Sequence, residues 1–179
     1  AAGVELHLRV RRGTEPFADI VQAARELPAD LIVLRRRGQR SFLANLLVGE
    51  MVGKALAQAP CSVLMAPRGA QLWQRGVLVG LDPLAPDAGL LDQAVALASG
   101  FGLPLHLVCV AAAADEQAQA QQVLDAALLQ ARHGGGAVHG AVRVGRAPQE
   151  IVAAARANGA DLIVLARQGP PNLGRASVG

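Results

Sequence analysis

Two stretches of this chain are one stretch written twice. Residues Ile20 to Gly38 read IVQAARELPADLIVLRRRG, and residues Ile151 to Gly169 read IVAAARANGADLIVLARQG. They align without a gap, 131 positions apart. That offset suits a whole domain and exceeds the solenoid period of about 20–50 residues. Each copy has the same physical content. Ile20, Ala23, Ala24 and Leu27 fall on one helical face, and Pro16 suits the first turn of that helix. Leu31-Ile32-Val33-Leu34 and Leu162-Ile163-Val164-Leu165 are unbroken apolar runs, as expected of parallel strands buried on both faces. A helix, such a strand and a glycine-bearing loop make half of a βαβ wind.

Around this repeat the pattern alternates. Strands are expected at Val4–Val10, Leu31–Leu34, Ser62–Met65, Val77–Leu81, Leu105–Val110, Val138–Val144 and Leu162–Leu165. Helices are expected at Pro16–Leu27, Leu43–Gln58, Asp87–Ser99, Asp115–Arg132 and Pro148–Asn158, with stops at Ala59-Pro60, Gly100 to Gly102 and Gly134 to Gly136. A linker from Pro67 to Arg75 carries the single Trp, Trp73. Alternation of this kind predicts an α/β fold with a doubly wound parallel sheet. The 179 residues, 52% hydrophobic but only 2% aromatic, supply an aliphatic core. No apolar run approaches the roughly 20 residues that cross a bilayer. Cys61 and Cys109 lie in apolar strand runs and read as small buried hydrophobes, which suggests a reducing, cytoplasmic setting. A start at Ala1 without Met suggests a trimmed or fragmentary chain.

Several segments resemble the universal stress protein family. Val77-Leu78-Val79-Gly80-Leu81-Asp82 is similar to its first strand with a terminal Asp. Gly145-Arg146-Ala147-Pro148-Gln149-Glu150-Ile151-Val152 resembles the turn into its third helix, and Asp161-Leu162-Ile163-Val164 its fourth strand. Ala59-Pro60-Cys61-Ser62-Val63-Leu64-Met65 resembles the approach to its fifth strand. The resemblance implies an adenine-nucleotide α-hydrolase-like, Rossmann-like sheet of order 3-2-1-4-5. It also implies a division at about residue 70: residues 1–70 as the later part of one domain, and residues 71–179 as a second domain lacking its last helix and strand. A section of a longer tandem protein is one expectation. The other is completion by permutation, with Ser62–Met65 supplying the strand that the second domain lacks.

Family members that bind ATP carry G-x2-G-x9-G-[S/T] after the fourth strand. Glycines there let backbone amides approach phosphate, and a following helix start favours negative charge. In the second copy Ala166 stands at the first position, Gly169 at the second and Gly179 at the third, with nine residues between the last two. The resemblance implies that Asp82 reaches the adenosine and Val110 lines the base pocket, so ATP or AMP is the expected ligand. Pro170-Pro171 removes amide donors from the loop. Gly169 and Gly179 also read as plain turn residues, and Asp82 as a strand-end acid. In the first copy Arg35, Gly38, Gly49 and Glu50 fit the motif poorly, so that copy reads as degenerate.

Arg9, Arg11 and Arg12, with Arg35, Arg36, Arg37 and Arg40, fall at the carboxyl edge of the first copy. They suggest either an anion-attracting edge or a solvated loop. Without interleaved aromatics, nucleic acid is not the expected partner, and no membrane partner is expected. His7, His106, His133 and His139 are scattered, and no serine has a nucleophile-elbow context. The expected function is a nucleotide-responsive stress module without turnover. The alternative is an interaction module that pairs through Ser62–Met65, as a homo-oligomer or an intramolecular pseudo-dimer. An enzyme of the wider nucleotide-hydrolase-like group is a third class.

Overall fold

The structure, a computed structural model, describes residues 3, 5–35, 56–134, 136–168 and 177–178. They fall into two compact units.

The first unit contains residues 5–35 and 56–68. Helix α1 (Pro16–Glu26) begins with Pro16, whose missing N–H has no intrahelical partner to lose. It buries Val21 and Ala24, and Ala24 packs with Ile32 and Ala59. Leu27, expected on the inner face, lies past the helix end and is exposed. Strands β1 (Leu31–Arg35) and β2 (Ser62–Ala66) pair in parallel, with Leu31 opposite Ser62 and Arg35 opposite Ala66. Most of the expected helix Leu43–Gln58 lies outside the described residues, although 56–58 are helical.

Two expectations for this unit need correction. β1 is a parallel strand, but among the described residues it is covered on one face only. Ile32 is 7% exposed, whereas Leu31 and Val33 are 49% and 58% exposed. Among the described residues α1 covers the Ile32 side and no helix covers the other. The second correction concerns Val4–Val10. Its described part, residues 5–10, is not a strand, and Leu6, Leu8 and Val10 are almost fully exposed. The alternation of apolar residues there is strand-like, but ladder hydrogen bonds need a neighbour, and no described strand lies beside it.

The second unit holds a four-stranded parallel sheet. Its strands are β3 (Val77–Leu81), β4 (Leu105–Ala111), β5 (Val138–Val144) and β6 (Leu162–Leu165), in the order β5-β4-β3-β6. This is the 3-2-1-4 part of the expected sheet. Helices α2 (Ala88–Phe101) and α3 (Gln117–Arg132) cover one face, and α4 (Ala147–Ala157) covers the other. A 3-10 turn, Ala114–Glu116, precedes α3 where a helix was expected from Asp115. Among the described residues the strand pairing with β6 is β3, and β2 pairs with β1.

Why β3 is continuously apolar is plain from its position. Val77, Val79 and Leu81 enter the cluster under α2 and α3, while Leu78 enters the cluster under α4. All five residues are buried. Gly80 is small for a packing reason: a Cβ there would sit 2.5 Å from Leu165 Cδ2 and 3.1 Å from Ile151 Cδ1. Asp87 caps α2, accepting from the Leu90 N–H at 3.0 Å. Gly102 ends that helix in the left-handed region at φ 63°. Two short strands escaped the sequence reading: β7 (Arg167–Gln168) and β8 (Ser177–Val178) pair antiparallel, with Arg167 opposite Val178.

Candidate functional site at the carboxyl edge of the second sheet

From β3 the chain steps to β4 and then β5 on one side, while β6 lies on the other. The crossovers on either side of β3 therefore diverge, which makes the carboxyl ends of β3 and β6 the switch point of the sheet. The register says which residues reach it. Gly80 pairs with Val108 and with Leu165, and Leu81 pairs with Cys109. One position further out stand Asp82 and Val110, with Ala166 immediately after β6. Three of the five residues expected at the site are thus brought to one edge by separate strands. Gly169 and Gly179 lie outside the described residues.

Each of the three has a local role as well. Asp82 is half-buried, and its Oδ1 accepts from the Leu84 N–H at 2.8 Å. This Asx turn ends β3 at Pro83. Val110 is 7% exposed, and its side chain belongs to the core under α4. Ala166 is half-buried between β6 and β7. Beneath the edge, the Cys109 thiol is fully buried and pushed up to about 11, by burial first and by the Asp82 carboxylate second. It is a packing residue with no thiolate to offer near neutral pH.

The loops around this edge are latched by residues that sequence reading passed over. Gln119 Nε2 donates to the Pro83 carbonyl at 3.3 Å, and Glu116 accepts from the Ala112 N–H at 3.0 Å. The available signal was a carboxylate five positions after a strand end. Gly145, after β5, is held at φ 146° with its N–H donating to the Ala111 carbonyl at 2.9 Å. Across that turn Arg143 donates to Glu150 at 3.0 Å, strapping β5 to α4. The first unit uses different pairs. Gly13 faces the Asp19 carboxylate, and Arg11 is paired with Glu26, whose carboxyl the guanidinium holds below its usual range. Arg11 therefore serves an internal ion pair. Arg36, Arg37 and Arg40 lie outside the described residues.

At the opposite, amino-terminal edge sits a group with a different purpose. Asp161 accepts from the backbone N–H groups of Gln74, Arg75 and Gly76 at 2.8 to 3.2 Å. Desolvation pulls its pKa up, but these donors together outweigh it and hold the carboxyl below its ordinary value. It is a structural clamp on the approach to β3. Among the described residues no group of three or more His, Cys, Asp or Glu side chains could hold a metal ion, and no helix is long and apolar enough to cross a membrane.

A doubly wound parallel sheet in the order β5-β4-β3-β6 defines a Rossmann-like α/β architecture. The sequence profile of the Universal stress protein family matches residues 1–67 and 75–179. The chain belongs to that family. No curated protein matches it. Among solved structures it is similar to the universal stress protein from Archaeoglobus fulgidus, at 22% identity and a TM-score of 0.46, over 54% of this chain and 80% of that one. It is also similar to a protein from Mycobacterium tuberculosis H37Rv, at 22% identity and a TM-score of 0.47, over 60% of this chain and 81% of that one.

Proposed function

We propose that the second unit is an adenine-nucleotide-responsive module that binds ATP or AMP without turning it over, in a cytoplasmic setting. The observation that carries this reading is the convergence of Asp82, Val110 and Ala166 at the carboxyl ends of three adjacent parallel strands. A carboxylate there offers an acceptor to ribose hydroxyls. The buried Val110 side chain leaves ligand contact to its main chain. Glycines at 169 and 179 would let amides approach phosphate.

Equilibrium dialysis with ATP tests the reading. Saturable binding is expected, weakened about tenfold or more in Asp82→Ala through loss of a charge-assisted hydrogen bond. No retention at millimolar ATP by folded protein contradicts it.

A second reading has its own support. β2 is hydrogen-bonded along one edge, to β1, and among the described residues no strand occupies its other edge. A nucleotide-independent module pairing through Ser62–Met65, with another copy or within the chain, fits that edge. Concentration-dependent dimerisation unaffected by ATP, and abolished by Val63→Pro, supports this alternative. A monomer at all concentrations removes the homo-oligomer form.

A further inference from the structure

We propose that His106 and His139 form a two-histidine site for a transition-metal dication of the zinc, nickel or copper class, near the amino-terminal ends of β4 and β5. Their placement follows from the strand period. On β4, Leu105, Leu107 and Cys109 enter the cluster under α2 and α3, while Val108 and Val110 enter the one under α4. Alternation therefore puts His106 on the α4 face. On β5, Val138 and Val142 pack against the cluster under α2 and α3, so His139 shares the face of His106. The register sets the two directly side by side, and their rings lie 5.4 Å apart at 22°. The sheet itself holds this pair together.

Two features set the pair apart from an ordinary stack. The Nδ1 of His106 is buried with no hydrogen-bond partner among the described residues, a state that buried polar atoms rarely keep. His139, by contrast, is exposed, so its ring can turn about its own side-chain bonds without disturbing the core. Metal–nitrogen bonds of about 2.0–2.1 Å need donor nitrogens roughly 3–3.4 Å apart. Turning the His139 ring toward the Nδ1 of its neighbour supplies that separation and admits the ion from solvent. The bound ion is then the partner that this nitrogen lacks.

Donor type and charge choose the ion. Burial first, and His139 second, favour the neutral ring of His106, the form with a lone pair to give. No carboxylate joins the pair, since among the described residues no group of three or more His, Cys, Asp or Glu side chains could hold a metal ion. Glu150 is held by Arg143, which shares that face of β5, and Asp161 by the amides of residues 74–76. Two neutral imidazoles completed by water suit zinc, nickel or copper, whereas magnesium and calcium ask for oxygen ligands.

The test uses the full chain and Ni2+ alone at neutral pH, followed by calorimetry and by NMR of the 15N-labelled imidazoles. Saturable binding is expected, with the His106 and His139 ring signals broadening together. His7, beside Glu5 at 3.1 Å, and His133 are the internal comparison, and their signals broaden later. His139→Gln weakens binding about tenfold or more, at least what losing a ligand's outer-shell partner costs. His133→Gln leaves it unchanged, and excess Mg2+ does not displace the nickel. The proposal is overturned by no saturable binding to a chain with native circular dichroism, by equal binding in His139→Gln, by displacement with Mg2+, or by broadening that begins at His7 or His133.

Discussion

His106 shows how much one residue's surroundings decide. It lies opposite His139 on the neighbouring strand, with rings stacked 5.4 Å apart, and its Nδ1 is buried without a partner among the described residues. Burial first, and His139 second, lower its pKa from the ordinary histidine value. The folded state therefore prefers the neutral ring. Its contribution is complete above the unfolded value of about 6.5 and is lost as pH falls through that value toward the folded one. Urea denaturation at pH 7.5 and pH 5.5 should show a loss of stability in the wild type that is smaller in His106→Phe. An equal loss in both would remove this role. Asp161 works in the same direction in a lower window. Its depressed pKa contributes stability above the unfolded carboxylate value of about 3.9, lost as pH falls further. Asp161→Ala is expected to cost about 1–2 kcal/mol near neutral pH by stranding the amides of residues 74–76, measured by the same denaturation. Neither role was legible beforehand. Scattered histidines and a strand-leading Asp carry no signal until the sheet sets their register.

At the scale of elements, legibility followed burial. Val77–Leu81, Val138–Val144 and Leu162–Leu165 have the bounds that their apolar patterns imply, because each is paired in the sheet and packed on a covered face. Val4–Val10 has an equally strand-like pattern and no strand in its described part. The pattern records a preference for a pleated surface, not the presence of a neighbour. β7 and β8, two residues each, are too short for any period to show. Gly80 was read as a strand residue, but its smallness is a packing requirement between β6 and α4. Gly80→Val is expected to destabilise by about 1–3 kcal/mol through overpacking, read by the denaturation midpoint with Trp73 fluorescence as the probe. Trp73 stacks edge-on against Phe101 at 5.4 Å, so its emission reports α2 docking. Asp87→Ala should cost about 1 kcal/mol through loss of the cap. A midpoint unchanged in either variant contradicts the packing or capping role assigned to it.

For the whole molecule, the duplicated segment proved to be the most informative stretch of sequence. Each unit displays a different part of one sheet order. The second contains the 3-2-1-4 run, β5-β4-β3-β6, and the first contains a 4-5 pair, β1-β2. The same apolar strand is enclosed in one setting and half-exposed in the other because different neighbours are present. The candidate site was legible to the extent that strand ends define it. Asp82, Val110 and Ala166 follow from strand boundaries and sheet order, whereas the Asx turn at Asp82 and the burial of Val110 depend on packing that no spacing reveals.

The nucleotide reading is tested most directly by amide chemical-shift mapping of the isotope-labelled chain during an ATP titration. The account predicts saturable shifts concentrated at residues 81–84, 110–112 and 165–167, absent in Asp82→Ala. Shifts confined to the arginine-bearing segment at residues 9–12, or none at millimolar ATP, would contradict it.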